Sequence, residues 1–435
     1  MTSDSTSTPR LRVAICGGGI GGLMLAIALA PYKDIEINIY EGASKFETIG
    51  AGLAIWGAAV QAFKKLGIEE RLSTIAPGNE DESGFELRRS NRPEGEQYGT
   101  LVFSRTMGFH RATFLDVLVE LFNTRNTTGK IHFGKRCVKY EYAQNTDTKD
   151  VEIHFKDGTT ATCDVLVGSD GIRSVIRKQL VDETAKDKGW SAQDSAVDST
   201  GLRFSGTVAY RALVNPASIP DHPARKDRKM HIVTYPVAGG KFINPIAYVS
   251  NPERHDEWMN GPWTTDVDRN DVLEEYSDFE SEVQVMLNTV ETFSRWALFE
   301  VDPLPAWANG PVTVLGDSAH AMNPFIGSAG GQVIEDAYIL AHLLGLPDVT
   351  PDNVPSLLRS YEFIRKPRSE KILQCTREAK RVLEFMGEYA TASNEYIKKT
   401  FDERVLWLWE GKLDLDQEVE RGRKEFERLR NEACV

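Results

Sequence analysis

Apolar runs and glycines between Arg10 and Glu41 predict one supersecondary unit. Leu11–Cys16 (LRVAIC) is a short β-type run. The turn Gly17-Gly18-Gly19-Ile20-Gly21-Gly22 follows, and then LMLAIALA, a helix with almost no polar face. Ile35–Tyr40 (IEINIY) alternates and ends at Glu41. Strand, tight turn, buried helix, strand is a βαβ unit covered on both faces. Gly50–Gly67 reads as a glycine-rich turn and a helix (AAVQAFKKLG), and residues 77–100 as polar loop or edge structure with one short strand-like piece. A helix follows His110-Arg111 (ATFLDVLVELF), and residues 131–167 alternate as strands around the turn KDGT.

From 200 to 250 the pattern is strand-rich (RFSGTVAYRALV, KMHIVTYPV, FINPIAYVS) with Gly and Pro turns, which predicts an antiparallel β domain. PVTVLGDSAH then returns to the parallel-sheet type, and a long helical region closes the chain. The first domain is therefore split around an inserted β domain, with 183–198 as a flexible connection.

Composition narrows the classes. The 435 residues carry 51 Lys+Arg against 64 Asp+Glu, a net charge of −13, which argues against sequence-independent nucleic-acid binding. No run approaches the roughly 18 apolar residues of a membrane span, and the polar, Ser/Thr-rich opening has no signal-peptide core. The five cysteines are scattered without CxxC or Cys/His spacing, so neither a disulfide frame nor a metal site is expected, and a reduced, cytoplasmic setting is.

Gly17-x-Gly19-x-x-Gly22 stands where a dinucleotide fingerprint must stand. Gly17 permits the tight turn, Gly19 lets a pyrophosphate approach the backbone, Gly22 lets helix and strand pack closely, and the helix N-terminus offers free N–H groups. Glu41, 19 residues after Gly22, is placed to accept from a ribose 2′-hydroxyl, which favours FAD or NAD over NADP as the bound dinucleotide. Two later segments follow apolar strands: VLVGSDGIRS with Asp170, and VTVLGDSAHAMNPFIGSAGGQ with Asp317, His320, Pro324, Gly327, Gly330 and Gly331. Taken singly, each is equally a turn with an Asp helix cap. Together they suggest a cofactor larger than one mononucleotide half can hold, with Asp317 on ribityl or ribose hydroxyls and the amides of Gly327–Gln332 at the pyrimidine edge of a flavin.

GGGIGG with Glu41, HRATF, GSDGIRS and GDSAHAMNPFIGSAGGQ, in this order, resemble the single-component FAD-dependent aromatic hydroxylases (class A flavoprotein monooxygenases), nearest the salicylate hydroxylase-like branch. IGAGLAI, SGTVAYRALV, HIVTYPV, YEFIRKPRS and LWLWEGKLD carry the resemblance over about residues 10–415. It implies an α/β fold: a Rossmann-type FAD-binding domain split around an antiparallel β-sheet substrate domain, with a helical C-terminal region. The expected division is FAD-binding parts at 10–80, 106–185 and 301–350, a loop or edge of the substrate domain at 81–105, the β-rich substrate domain at 186–300 and the helical region at 351–435.

The resemblance further implies NADH or NADPH as a transient co-substrate and a flavin C4a-hydroperoxide that hydroxylates a phenolic ring. Variants are dearomatisation of a polyketide phenol, as in relatives from secondary metabolism, and salicylate-type oxidative decarboxylation. Arg111 and Asp317 carry over as FAD contacts with Gly52 of IGAGLAI, Asp170 as a residue for FAD and nicotinamide, and Pro324 as a shaper of the oxygen-reaction site. Two departures touch the pocket or flavin edge: Trp56-Gly57 stands where many relatives have Pro-Asn, and GSAGGQ replaces a GxGxN loop. A halogenase is disfavoured by the lack of WxWxIP, and a plain NAD dehydrogenase leaves Gly316–Gly331 unexplained. A non-catalytic FAD-binding protein is the alternative from another class. Expected partners are a small phenolic substrate and O2, in a monomer or homodimer.

Electrophilic hydroxylation needs an electron-rich, bound phenolate and a cation or donor to hold it. Period-2 alternation puts Arg203, Ser205, Thr207, Ala209 and Arg211 on one face of a strand, and His231, Val233 and Tyr235 on one face of the next. Arg203 with Tyr235 is the preferred pair, and Arg211 the second choice or a domain brace. His320 is read as structural, His110 as a helix-entry residue, Trp407–Trp409 as packing and Glu418–Arg430 as a solvated face.

Overall fold

The computed structural model describes residues 8–46, 52–76, 83–90, 94–103, 106–125, 129–142, 150–189, 200–213, 228–229, 232–238, 240–250, 262–409 and 412–433. Its centre is a six-stranded sheet ordered Ala308–Asn309, Val312–Val314, Val165–Gly168, Leu11–Cys16, Ile35–Tyr40, Lys130–His132, parallel except for the edge strand Ala308–Asn309. Leu11–Cys16 is central, with Val13 beside both Val165 and Ile37. Leu11–Cys16 and Val165–Gly168 are covered on both faces and read as near-continuous apolar runs, whereas Ile35–Tyr40, nearer the edge, alternates. The helix Ile20–Leu29 is buried from Gly21 onward, and the helices Arg111–Arg125 and Ala329–Leu344 pack against it.

The strands of this sheet come from three stretches of chain. Between the second and third lies a five-stranded antiparallel sheet ordered Ile232–Val237, Phe242–Ser250, Leu202–Arg211, Thr292–Val301, Thr264–Asp268. The helix Val354–Leu383 then runs along the molecule with Pro367 inside it, followed by Asn394–Phe401, the π-helical turn Asp402–Leu406 and Leu415–Ala433.

The structure departs from the sequence reading in three places. Residues 77–100 do not form a loop with one strand-like piece: Ser83–Arg89 and Glu96–Phe103 pair as an antiparallel hairpin. The turn expected after Gly50 is, from Gly52 to Trp56, a strand paired with Thr106–His110. In both cases a partner strand outweighs local polarity or glycine content, as strand formation depends on pairing and packing more than on intrinsic preference. Third, the connection expected at 183–198 begins as helix, since Val175–Asp187 continues through its first five residues, while 190–198 lie outside the described residues. Among the described residues no helix is long and apolar enough to cross a membrane.

Candidate active site

Three glycine-bearing loops from the ends of the parallel strands meet at one place. Gly17 sits at φ +109°, and a Cβ there would lie 2.0 Å from the Ser169 carbonyl oxygen. A Cβ on Gly22 would lie 2.0 Å from the Gly17 carbonyl oxygen, so these two glycines close the turn against the second loop and against the strand. Gly19 differs: a Cβ there would meet nothing within 4 Å, which leaves open space over the N-terminus of Ile20–Leu29. That helix has no side-chain cap, and neither does Ala329–Leu344, so both present unsatisfied N–H groups. Glu41 folds back on the first loop, its carboxylate accepting from the backbone N–H groups of Gly18 (2.8 Å) and Ala43 (2.7 Å).

These loops and the five-stranded sheet enclose a cavity of about 360 Å3. Gly19, Gly52, Arg111, Asp317, Pro324, Gly327, Gly330 and Tyr235 line it; Gly17, Gly22, Glu41, Asp170, Gly331 and Arg203 do not. Asp170 is instead a brace between loops. Its carboxylate accepts from Ser174 Oγ (2.5 Å), Ser318 Oγ (3.1 Å) and the Val175 N–H (2.9 Å), capping the helix that follows. Its neighbours Ser169 and Gly171 reach the wall. Arg177, unnoticed in the sequence, is buried and donates to the carbonyls of Ile172, Thr200 and Ser318, which ties the second loop to the third.

The two candidate arginines stand apart, and Arg203 does not reach the cavity. Arg203 is paired with Glu300 and lies 3.4 Å from Asp302, in a cluster that also contains Arg377. It braces the sheet against the long helix. Arg211 lines the cavity. Cross-strand register explains the difference. Arg211 is level with Ile246, and Ile246 with Val233; Ala209 is level with Tyr248 and Trp296; Tyr235 is level with Asn244. Arg211, Tyr235 and Tyr248 thus share one end of the sheet. Arg203 lies roughly 20–25 Å along the strand, beyond a bulge between Phe204 and Val208 where Gly206 takes φ +75°. His231, expected beside Tyr235, lies outside the described residues.

The Arg211 guanidinium sits 5.5 Å from the Trp296 ring centroid. Ser294 Oγ donates to the Arg211 carbonyl (3.2 Å) and accepts from the Trp296 indole (3.0 Å), fixing the pair. Among the described residues, Arg211 Nε is buried with no hydrogen-bond partner. A buried, unmade charged hydrogen bond is costly, so such an atom points to an anionic ligand. Burial raises the Tyr235 phenol, against the opposing pull of Arg211 and Asn244, and it raises the Tyr248 phenol against that of Arg211. Both remain neutral O–H donors at neutral pH.

The two departures noted in the sequence form one packed unit. A Cβ on Gly327 would lie 2.4 Å from the Trp56 ring, so the indole lies flush on the glycine, itself at φ +61°. Both residues line the cavity wall.

Behind the third loop is a buried charge network. Asp336 accepts from the Gly316 N–H (3.0 Å), His320 Nε2 (2.6 Å) and Arg365 Nε (2.8 Å). Arg365 also donates to Glu335 (2.9 Å) and Gln332 Oε1 (2.8 Å), and Arg368 to Glu335 (2.8 Å). His320 is therefore held in place rather than presented to the cavity. Burial raises the Asp336 carboxyl, but His320 and Arg365 overcome it and bring it down to about 2. A carboxyl depressed below its unfolded value stabilises the fold above roughly pH 4 and loses that contribution as pH falls toward 2. Asp336→Asn should therefore unfold at lower denaturant than wild type at pH 7, and the gap should narrow below pH 4. A gap constant from pH 7 to pH 3 would contradict the assignment.

A family model described as "FAD binding domain" matches residues 10–376. Salicylate hydroxylase of Pseudomonas putida is 31% identical over 438 residues, covering 96% of each chain. The 6-methylsalicylate 1-monooxygenase of Aspergillus terreus is 30% identical, covering 95% of this chain and 92% of its own. Among solved structures, a salicylate hydroxylase substrate complex superposes with a TM-score of 0.79 at 28% identity, covering 95% of this chain and 98% of that one. HpxO of Klebsiella pneumoniae, complexed with FAD and uric acid, shares the fold with a TM-score of 0.71 at 20% identity, covering 97% and 98%.

Proposed function

The chain belongs to the FAD-binding-domain family of FAD-dependent aromatic monooxygenases, and from that premise we propose that the cavity seats a phenolic aromatic anion on Arg211 for hydroxylation with NADH or NADPH and O2. The carrying observation is the unpartnered, buried Arg211 Nε in a wall shared with the glycine loops. FAD, when bound, supplies hydride acceptance from the nicotinamide and the transfer of one oxygen atom to the ring.

The residues suit that group. The open Gly19 backbone and the uncapped helix behind it would take the pyrophosphate, and Glu41, with lone pairs to spare, a ribose. Exposed Asp317 and Arg111 would take the middle of the molecule, and Gly52 and Gly327–Gly330 the ring. Gly17, Gly22 and Gly331 act through packing, and Asp170 by bracing the second loop.

Arg211 holds the anionic oxygen and favours the ionised phenol, which raises the electron density of the ring. Tyr235 and Tyr248 donate to the same pole without competing as anions. Pro324 and Phe325 close the wall near the glycine turn, and the apolar lining limits water at the reacting ring.

The 31% identity to a salicylate hydroxylase favours one second reading: attack at the carboxyl-bearing carbon with loss of CO2. The test is NAD(P)H consumption under labelled O2 with 2-hydroxybenzoates and resorcinols, with mass analysis of the products. One labelled oxygen atom per product molecule is expected. Retained carbon count separates simple hydroxylation from decarboxylation, and loss of aromatic absorption would mark a dearomatised product. NAD(P)H oxidation that yields only hydrogen peroxide with every arene would oppose the proposal.

A further inference from the structure

This inference rests on the reading that the cavity holds an aromatic anion beside the flavin. Apart from Arg111 and Asp317, placed on the cofactor side, Arg211 is the one charged residue of the wall among the described residues, and the rest offers a large apolar surface. Phe85 and Leu87 come from the first hairpin strand, Leu101 from the second, Leu383 from the end of the long helix and Phe401 from the end of Asn394–Phe401.

These elements are fastened into one body. Arg89 donates to Asn394 Oδ1 (2.7 Å) and to the Ala392 carbonyl (3.1 Å), and its guanidinium lies 4.4 Å from the Phe385 ring centroid. Asn394 in turn donates to Glu96 (2.9 Å). Phe85, Leu87, Leu101, Leu383 and Phe401 offer no side-chain hydrogen-bonding group. A polar substituent pressed against them would lose its water without replacement, whereas a hydrocarbon substituent would bury apolar surface.

We propose that the preferred substrate is an aromatic acid or phenol bearing a hydrocarbon chain longer than methyl on the ring edge away from its anionic pole. The hairpin and the C-terminal helices select that chain. Arg211, Tyr235 and Tyr248 take the pole, and the five apolar residues take the chain, so one ligand is read by two chemically opposite walls. The hydroxylation itself is unchanged, since the chain takes no part in bond making.

The test titrates FAD-loaded enzyme with 2-hydroxybenzoate and with its 4-alkyl and 5-alkyl homologues from methyl to pentyl, following perturbation of the flavin absorption band. In at least one series affinity should rise roughly two- to fourfold per methylene through propyl. Phe401→Ala should narrow the propyl-to-parent affinity ratio at least fivefold, and Phe401→Leu should restore most of it. Because the ratio is measured within one protein sample, a general loss of stability cancels. If 2-hydroxybenzoate binds and both series are flat or weaken with length, this inference is overturned and the aromatic-anion reading stands. If no aromatic anion perturbs the flavin, the reading fails and the inference with it. A ratio untouched by Phe401→Ala overturns the role given to the C-terminal helices.

Discussion

Arg211→Gln should weaken binding of a 2-hydroxybenzoate anion by roughly 10- to 100-fold while leaving the bound flavin in place. The magnitude follows from removing a charge-assisted hydrogen bond, about 1.5–3 kcal/mol. The rate should fall with affinity, because the same cation favours the reactive phenolate. The unfolding free energy without substrate should change by less than about 1 kcal/mol, since Arg211 Nε has no partner among the described residues to lose and the guanidinium gives up only its contact with Trp296. Affinity from flavin difference spectra and stability from denaturant titration measure the two sides. A variant that loses stability and keeps affinity would make Arg211 a structural residue.

Arg365→Ala should have the largest effect on the fold. The fully buried guanidinium serves Asp336, Glu335 and Gln332 together. Its loss takes the shared cation from two buried carboxylates and leaves Glu335 with Arg368 and Asp336 with His320 alone. Breaking such a pair from one side costs about 3–5 kcal/mol. Asp336 also accepts the Gly316 N–H, at the head of the loop that carries Asp317, so FAD should be released more readily as well. Arg365→Lys should rescue little, because a single ammonium cannot span three acceptors in a fork. The checks are the unfolding free energy of the holoprotein and the flavin remaining after gel filtration. A loss below about 1 kcal/mol would mean that the network contributes little.

The split parallel sheet was legible because its determinants are local. LRVAIC, the glycine turn and IEINIY state strand, turn and strand within about thirty residues, and the two clash-limited glycines, Gly17 and Gly22, could be assigned from spacing alone. The hairpin at 83–103 and the strand Gly52–Trp56 were not legible, since each depends on a partner that local composition does not announce.

In the candidate site the same limit acted on register. Alternation along Leu202–Arg211 gives the face of each arginine, but not which of them shares an end of the sheet with Tyr235 on another strand. A Gly206 bulge and the buried acid Glu300 decided that, and neither is visible in a period-2 pattern. Asp170 was found by motif, yet its carboxylate turned inward to cap a helix. The Asp336–Arg365 network was missed because its members are 29 residues apart, although both lie in helices that the sequence marked clearly.

One cavity should hold the flavin ring on its glycine side and an aromatic anion on Arg211. The most direct measurement is the flavin difference spectrum on titration with 2-hydroxybenzoate in wild type, Arg203→Gln and Arg211→Gln. A saturable change is expected in wild type and Arg203→Gln, with affinity at least tenfold weaker in Arg211→Gln. A change that persists in Arg211→Gln and disappears in Arg203→Gln would contradict it.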